Sequence, residues 1–365
     1  MARNWAGCAA LSGIRSAALL ALPLVGGIFL AHRGGAQGQT SGRLPSIPRG
    51  VFCLEAAGEP AGQQELSDPH VDGISIRQRW SDLEKSKGVY DWSFFDSEIA
   101  RAEKAGKPVL VRILTEGPST PQWVYDQGVQ TFAFQDTNPY HGGGSGKFAI
   151  FWDRAYLAEK KALIAAAGRH LSGNATVKIV WAVLISSRSG DWHVPHTPAD
   201  IEHWHAIGYA PEKLLDVCKQ IIDTTVQSFP NQYVAMAVGP NGQLDARPNL
   251  VAGQVVQYAR STYPERVVFQ RNSLSAVTPP PGSRRRQFGD LLEYRGYVAG
   301  QMLWFTYGDP TCRNNGRQKP CDPDATLRRA IDTGVSYGMR YLEIYRKDVI
   351  NLPTEIQYAH EALTR

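Results

Sequence analysis

Apolar residues recur in eight short runs along the chain, and segments with helical periodicity separate most of these runs. The runs are rich in Val, Ile, Leu and aromatic residues with few polar interruptions, as expected for strands buried on both faces. They predict strands at Gly50–Leu54, Gly73–Arg79, Pro108–Leu114, Lys178–Leu184, Tyr233–Val238, Arg266–Gln270, Gln301–Phe305 and Tyr341–Tyr345.

The intervening segments have the three-to-four-residue apolar repeat of amphipathic helices. Asp153 can cap the second helix, Pro211 suits the first turn of the third, and Gly338 ends the sixth. The predicted helices are Phe94–Ala105, Arg154–Leu171, Pro211–Ser228, Leu250–Tyr263, Phe288–Tyr297, Ala325–Gly338 and Thr354–Leu363.

Eight alternating units predict an α/β protein folded as a single-domain (β/α)8 TIM barrel over residues 48–365. A doubly wound open sheet is the alternative. That fold favours a glycine-rich phosphate loop of the form G-x-G-x-x-G after the first strand, and no such motif occurs there. The long segments 116–152 and 185–210 are predicted to be loops on the catalytic face, because loops of this length are usually functional.

The N-terminus has the pattern of an export signal. Two arginines come before or at the edge of a 15-residue apolar run, Ser16 to Leu30, and small residues ending at Ala36 follow it. A membrane span needs roughly 20 apolar residues, so the run is short for one. We therefore predict a signal peptide at 1–36, a short linker at 37–47, and a secreted or periplasmic protein. An uncleaved N-terminal anchor is the alternative, and we expect no other membrane contact.

The charge of the chain argues against nucleic acid as a partner. Its formal net charge is +5, and the first 36 residues contribute three arginines and no acid, which leaves +2 for the remainder. The basic cluster Arg284–Arg286 follows Pro279–Gly282 and is predicted to lie in a solvated loop.

The cysteines predict one disulfide. Cys312 and Cys321 enclose a polar loop, and an exported protein matures in an oxidising compartment. Cys53 in a strand and Cys218 in a helix are predicted to be buried thiols. Neither C-x-x-C nor a paired histidine accompanies these cysteines, and the H-x-H pair at 203–205 falls in a long loop or short helix rather than on a strand. We therefore expect no metal and no cofactor.

The stretch from Asp72 to Trp92 carries the most informative pattern in the chain. An apolar strand ends in an Arg-Trp pair, an acidic turn follows, and a polar loop leads into the next helix. In barrel enzymes the active site forms where strands meet the loops that follow them. The residues that match a known family pattern are Trp80, Leu83, Glu84, Gly88, Tyr90, Asp91, Trp92 and Asp96.

These residues resemble the second barrel strand of family 42 glycoside hydrolases, the β-galactosidase-like barrels of clan A. Similarity at Phe151–Asp153 and Ala210–Leu214 extends the resemblance over about residues 48–360. The resemblance implies a sugar-cleaving barrel whose partner is a polysaccharide or oligosaccharide.

Glycoside hydrolysis needs two carboxyl groups, one that protonates the leaving oxygen and one that attacks or activates water. Glu343 lies inside the last predicted strand, where alternation places it on one face with Tyr341 and Tyr345. A buried glutamate is costly unless it is paired or used. An ion pair with Arg77 or Arg112 is the structural alternative to a catalytic role.

Asp191 is the second candidate. In the resembled family the general acid lies just past strand four, commonly as Glu, and here the loop after that strand reads Gly190-Asp191-Trp192-His193-Val194-Pro195. A turn or capping role is the alternative for a loop aspartate. The family also carries a nucleophilic Glu at the end of strand seven, where this chain has Gln301 and then Asp309. Glu343 would therefore have to serve from strand eight.

Aromatic and polar side chains at the predicted strand ends complete the candidate site. Aromatic rings stack on the C–H faces of sugars, although a single tryptophan can equally well fill the barrel rim. The predicted substrate-binding residues are Arg77, Trp80, Arg112, Trp123, Trp192, Asn272, Trp304 and Tyr345. The sequence thus predicts an exported glycoside hydrolase with Glu343 and Asp191 as its carboxyl pair. The rivals are a non-catalytic carbohydrate-binding barrel and, third, a metal-dependent hydrolase.

Overall fold

The computed structural model describes residues 44–136, 144–188, 191–237, 244, 250–282, 296–314 and 317–365. The predicted signal peptide, the Arg284–Arg286 cluster and most of the predicted helix Phe288–Tyr297 lie outside these residues.

Eight parallel strands form a closed barrel, which confirms the predicted (β/α)8 fold. The ring runs β1-β12-β9-β8-β7-β6-β3-β2, and β1 closes it by pairing with both β2 and β12. The strands are β1 (Gly50–Leu54), β2 (Gly73–Arg79), β3 (Val109–Leu114), β4 (Thr131–Asp136), β5 (Gly144–Ala149), β6 (Val177–Trp181), β7 (Tyr233–Ala237), β8 (Val267–Leu274), β9 (Val298–Met302), β10 (Arg313–Asn314), β11 (Arg317–Gln318) and β12 (Tyr341–Tyr345).

Helices surround the barrel, and several begin and end where the sequence predicts. The Asp153 side chain caps α5 by accepting from the Tyr156 amide at 3.0 Å, Pro211 opens α7, and Gly338 follows α9 at φ +73°. The helices are α1 (Gln63–Ser67), α2 (Trp80–Leu83), α3 (Ser93–Lys104), α4 (Gln122–Tyr125), α5 (Arg154–Leu171), α6 (Pro198–Ala206), α7 (Pro211–Ser228), α8 (Leu250–Thr262), α9 (Pro323–Ser336), α10 (Arg346–Asn351) and α11 (Pro353–Thr364).

The seventh barrel strand lies three residues earlier than the sequence predicts. We expected Gln301–Phe305, and the structure has β9 at Val298–Met302. The small residues Ala299 and Gly300 belong to this strand, and a Cβ at Gly300 would lie 2.5 Å from the Met339 sulfur, so the strand packs closely against its surroundings. The larger residues that follow β9 belong to the turn that leaves the barrel. Strand β6 is likewise shorter and β8 longer than predicted.

The two long segments predicted as loops carry secondary structure. Segment 116–152 contains α4 and the antiparallel hairpin β4–β5, which pairs Thr131 with Ala149 at one end and Asp136 with Gly144 at the other. Segment 185–210 contains α6, where Thr197 and Asp200 form a reciprocal capping box. These elements give defined walls to the end of the barrel where the candidate site lies.

Apolar side chains fill the barrel at the end where the strands begin. The segment before β1 covers this end, and Tyr233 donates from its hydroxyl to the Pro45 carbonyl at 2.6 Å. The polar residues Arg77, Arg112 and Gln301 lie in the later part of their strands, toward the catalytic end of such barrels. The apolar interior comprises Ile47, Phe52, Leu110, Ile179, Trp181, Val183, Tyr233, Ala235, Ala237, Val268, Ala299 and Tyr341.

Cys312 and Cys321 form a disulfide with a Cα–Cα distance of 5.1 Å, as predicted. Cys53 and Cys218 are free and buried, also as predicted. Among the helices of the described residues, none is long and apolar enough to cross a membrane.

Candidate active site

Glu343 lies at the centre of a polar network inside the barrel. Strand alternation directs it inward, and its side chain is 0% exposed. Arg112 donates from Nη2 to Oε2 at 2.8 Å, Ser75 donates from its hydroxyl to Oε1, and Gln270 donates from its amide to Oε2. The donors come from β2, β3 and β8, so the closed barrel itself assembles the site. Three donors stabilise the ionised form of a buried carboxylate.

Arg112 connects the two predicted carboxyls. Its guanidinium is 1% exposed, and its Nη1 lies 3.6 Å from Oδ1 of Asp191 while its Nη2 binds Glu343. Nη1 also donates to Gln301 Oε1 at 3.2 Å, and the guanidinium lies 3.8 Å from the ring centroid of Trp181. One buried cation therefore fixes both carboxyls at neighbouring positions.

Asp191 reaches this network from the loop after β6. The loop returns on itself, since the Ser187 amide donates to the His193 carbonyl at 3.0 Å and the His193 amide donates to the Ile185 carbonyl at 3.3 Å. Asn272 donates from its amide to Oδ1 of Asp191. The Asp191 side chain remains 31% exposed, unlike Glu343.

The environment of Asp191 raises its pKa above the ordinary aspartate value. Desolvation is the largest cause, and the nearby Glu343 charge adds to it. Arg112, the Asn272 hydrogen bond and Arg77 act in the opposite direction and only reduce the shift. Asp191 therefore keeps its proton to a higher pH than a solvated aspartate.

Gln270 and Asn272 hold the carboxyls in place from β8. The Tyr341 hydroxyl donates to Gln270 Oε1 at 2.8 Å, which leaves the Gln270 amide nitrogen to donate to Asn272 Oδ1 at 2.9 Å and to Glu343. Burial and the Glu343 charge raise the pKa of Tyr341 well above its usual value, so this phenol stays protonated.

Arg77 lies beside Arg112 in the register of β2 and β3 and opens onto a cavity of about 420 Å³. Its Nε donates to the Glu55 carbonyl at 2.7 Å. Desolvation and then the Arg112 charge lower the pKa of Arg77. Burial raises the pKa of Tyr345, which shares the cavity wall, to about 12.

The predicted tryptophans divide into two groups. Trp80 is fully buried, and its indole donates to Glu84 Oε2 at 2.6 Å, while Trp123 donates to the Glu84 carbonyl at 2.9 Å. Glu84 Oε1 also accepts from the Gly88 amide at 2.7 Å, so the motif residues Trp80, Glu84 and Gly88 organise the turn after β2. Trp192 and Trp304 are half-buried.

Sequence reasoning missed several polar residues of the network. Each occupies an alternate position in an otherwise apolar strand, and this pattern was the available signal. Glu116, just past β3, was also missed: it is buried, it accepts from the Ser119 hydroxyl at 3.0 Å, and desolvation raises its pKa. The missed residues are Ser75, Glu116, Trp181 and Gln270, whereas Gln301 and Tyr341 were named from the sequence without a role in the site.

Comparison with known proteins agrees with this architecture. A family model described as beta-galactosidase, of the glycoside hydrolase 42 type, matches residues 66–183. No curated protein sequence matches the chain significantly.

Two solved beta-galactosidases share the fold. One is the polyextremophilic enzyme of the Antarctic haloarchaeon Halorubrum lacusprofundi, with TM-score 0.50, 13% identity, and coverage of 82% of this chain and 52% of the other. The second is the cold-adapted enzyme of Rahnella sp. R3, with TM-score 0.50, 11% identity, and coverage of 88% and 58%. This chain therefore spans little more than half the length of each. The closed barrel and the family match over residues 66–183 thus show a (β/α)8 barrel that is similar to glycoside hydrolases.

Proposed function

We propose that this protein hydrolyses glycosidic bonds in a polysaccharide or oligosaccharide, with Asp191 and Glu343 as its carboxyl pair. The observation that supports this most is the contrast between two carboxyls on one guanidinium. Asp191 is partly exposed and has a raised pKa, whereas Glu343 is buried among three donors. When two carboxyls have such different surroundings, one can keep its proton and act as the acid while the other stays ionised.

Asp191 is suited to be the general acid. Its raised pKa keeps the carboxyl protonated to a higher pH, and its exposed edge can reach a glycosidic oxygen. Proton transfer from Asp191 to that oxygen breaks the C–O bond and leaves an oxocarbenium-like sugar.

Glu343 is suited to supply negative charge to the sugar side of the bond. As a carboxylate it can stabilise the developing positive charge or direct a water molecule to the anomeric carbon. Because both carboxyls contact nitrogens of Arg112, their arrangement is compatible with the separations of roughly 5–9.5 Å that glycosidase pairs use. Arg112 then sets the geometry, and Gln270 and Asn272 orient the oxygens.

The experiment that tests this proposal compares leaving groups. Wild-type protein is assayed on a glycan panel and on aryl glycosides with good and poor leaving groups. Asp191→Asn should lose at least about 100-fold on natural glycans and much less on activated aryl glycosides, which need no proton. Glu343→Gln should lose activity on both classes. Asp82→Asn and Glu361→Gln, both at exposed positions, are the matched controls. Equal losses on all substrates would remove Asp191 as the acid.

A non-catalytic carbohydrate-binding barrel is the second candidate, and one observation favours it. Glu343 exposes no surface and all its donors are in place, while β9 carries Gln301 where the resembled family has a glutamate. Glycan binding by the wild type without cleavage of any member of the panel would support this candidate.

We also propose that the protein is exported and meets its carbohydrate outside the cytoplasm. The Cys312–Cys321 disulfide supports an oxidising compartment. Mass analysis of the mature N-terminus after expression in the native host tests the predicted cleavage after Ala36.

A further inference from the structure

We propose that the cavity beside the candidate carboxyls is a subsite for an acidic sugar, in which Arg77 binds the carboxylate of a hexuronic acid residue. This inference names the substrate class of the site above, and it rests on the proposed function.

Arg77 has no carboxylate partner among the residues that the structure describes. Within the described residues, the Glu55 carbonyl is the only hydrogen-bond acceptor for Arg77, and no carboxylate lies within ion-pair distance of its guanidinium. Its neighbour in register, Arg112, is in contrast bound to Glu343, Gln301 and Asp191. Removing a guanidinium from water without an anion to pair with it costs free energy. Such uncompensated charge in a cleft is typical of ligand-binding groups.

The cavity around Arg77 has the size and chemistry for one sugar ring. Its volume of about 420 Å³ falls within the usual range for small-molecule sites. Leu54, Phe305 and Ile350 give it apolar surface, against which the C–H face of a pyranose can pack. Tyr345 remains a neutral phenol that can donate to a sugar oxygen.

The charges around the cavity favour an anion. Three cations line it, and two acids. Arg346 forms an ion pair with Glu65, which leaves Arg77 and Lys347 as the cations without a carboxylate partner among the described residues. Of the two acids, Glu59 is exposed at the rim and Glu55 is fully buried. A carboxylate seated on Arg77 would accept two parallel N–H bonds from the free guanidinium nitrogens.

The position of the cavity connects it to the reaction. Arg77 pairs in register with Arg112, whose Nη2 binds Glu343 at 2.8 Å and whose Nη1 lies 3.6 Å from Asp191, so the cavity that Arg77 lines lies next to the carboxyl pair. A uronic acid held there would lie next to the strand whose Arg112 contacts Asp191. Neutral galactosides would leave Arg77 desolvated and without an anion.

The test measures binding separately from cleavage. Isothermal titration of the full chain compares oligouronates of galacturonate, glucuronate or mannuronate with their methyl esters, which keep the sugar and the linkage but remove the charge. We expect at least one free acid to bind roughly tenfold to a hundredfold tighter than its ester. Arg77→Gln should abolish that preference, Arg77→Lys should retain part of it, and the exposed control Arg329→Gln should retain all of it. Lys347→Gln, at the rim, should weaken it slightly and reduce its salt dependence.

Several outcomes would overturn the inference. Equal affinity for acid and ester, or an acid preference that survives Arg77→Gln in folded protein, would exclude Arg77 as the anion site. Tighter binding of a sulfated oligosaccharide than of any uronate would exclude the carboxylate. Binding of oligouronates without cleavage would uphold this subsite and contradict hydrolysis, whereas cleavage of neutral glycans alone would uphold hydrolysis and contradict the subsite.

Discussion

Glu343 and Glu55 are both fully buried near the ends of neighbouring strands, yet their surroundings are opposite. Glu343, on β12, accepts from Ser75, Arg112 and Gln270. Glu55, at the end of β1, faces other acids. Its carboxyl lies with the Cys53 sulfur and the Glu65 carboxyl in a group whose atoms are within 4.8 Å of one another.

The local charges explain what each glutamate can do. Desolvation is the main cause that raises the pKa of Glu55 to about 7, the Cys53 hydrogen bond opposes it, and Glu65 adds to it. Arg346, with Nη1 3.8 Å from Glu55 Oε2, is shared with Glu65. Glu55 is thus largely protonated below neutral pH, while Glu343 has donors for a full negative charge. Burial alone therefore does not identify a functional carboxylate; the number of donors around it does.

The largest effect is expected when the Glu343 carboxylate is removed, which tests whether its charge stabilises the fold. Glu343→Ala should destabilise the fold by about 3–5 kcal/mol, because Arg112 would stay buried with only the more distant Asp191 as an anion. Urea denaturation measures this change. Glu361→Ala, at an exposed site, should lie within about 0.5 kcal/mol of the wild type.

A double variant that removes both charges tests whether Glu343 stabilises the fold by neutralising Arg112. Glu343→Leu combined with Arg112→Met should be more stable than Glu343→Ala, because no unpaired charge remains inside the barrel. If the double variant is the less stable of the two, the main role of Glu343 is packing rather than neutralisation of Arg112.

Unlike Glu343, Glu55 should destabilise the fold when it is ionised, so its effect on stability should depend on pH. A carboxyl whose folded pKa is raised stabilises the fold fully below its unfolded value near 4.5, and this contribution is lost as pH rises through about 7. Glu55→Gln should therefore gain up to about 3 kcal/mol over wild type at pH 8 and little at pH 4. Denaturation at both pH values measures the difference, and an equal effect at the two would mean that Glu55 does not titrate in this range.

The disulfide provides a pH-independent reference for this test. Serine at both Cys312 and Cys321 should cost about 2–3 kcal/mol, the loop-closure value for their separation of 9 residues. The loss should be the same at pH 4 and pH 8, and the pH dependence assigned to Glu55 should persist in the variant. A loss confined to one pH would link this loop to an ionisable group.

Local patterns predicted the barrel well because each strand is a short apolar run of its own. The alternation of side chains along the last strand predicted that Tyr341, Glu343 and Tyr345 share one face, before any of their partners was known. The apolar pattern misplaced β9. This strand contains small, closely packed residues that do not have the composition of a typical strand, whereas the aromatic residues that follow it do.

Most of the site depends on contacts that no local pattern contains. Asn272 and Asp191 are 81 residues apart in the sequence, and Arg112 and Gln301 are 189 residues apart. Their contacts are therefore determined by the closed ring of strands and not by the neighbouring sequence. Trp80 was assigned to the substrate from its place at a strand end, but the turn folds it inward onto Glu84. The direction of a side chain in a turn depends on the backbone geometry of the turn, which the amino-acid composition does not reveal.

The pairing of β1 with β12 has a consequence for biosynthesis. Glu343 emerges from the ribosome 231 residues after Arg112 and 268 after Ser75. Until then the nascent sheet has two open edges and an interior guanidinium without its main counter-ion, which disfavours any compact state that lacks the last strand. Joining the edges and neutralising the charge occur in the same event. A chain released before β12 would differ from the finished protein in both respects, and chaperones and proteases could recognise either.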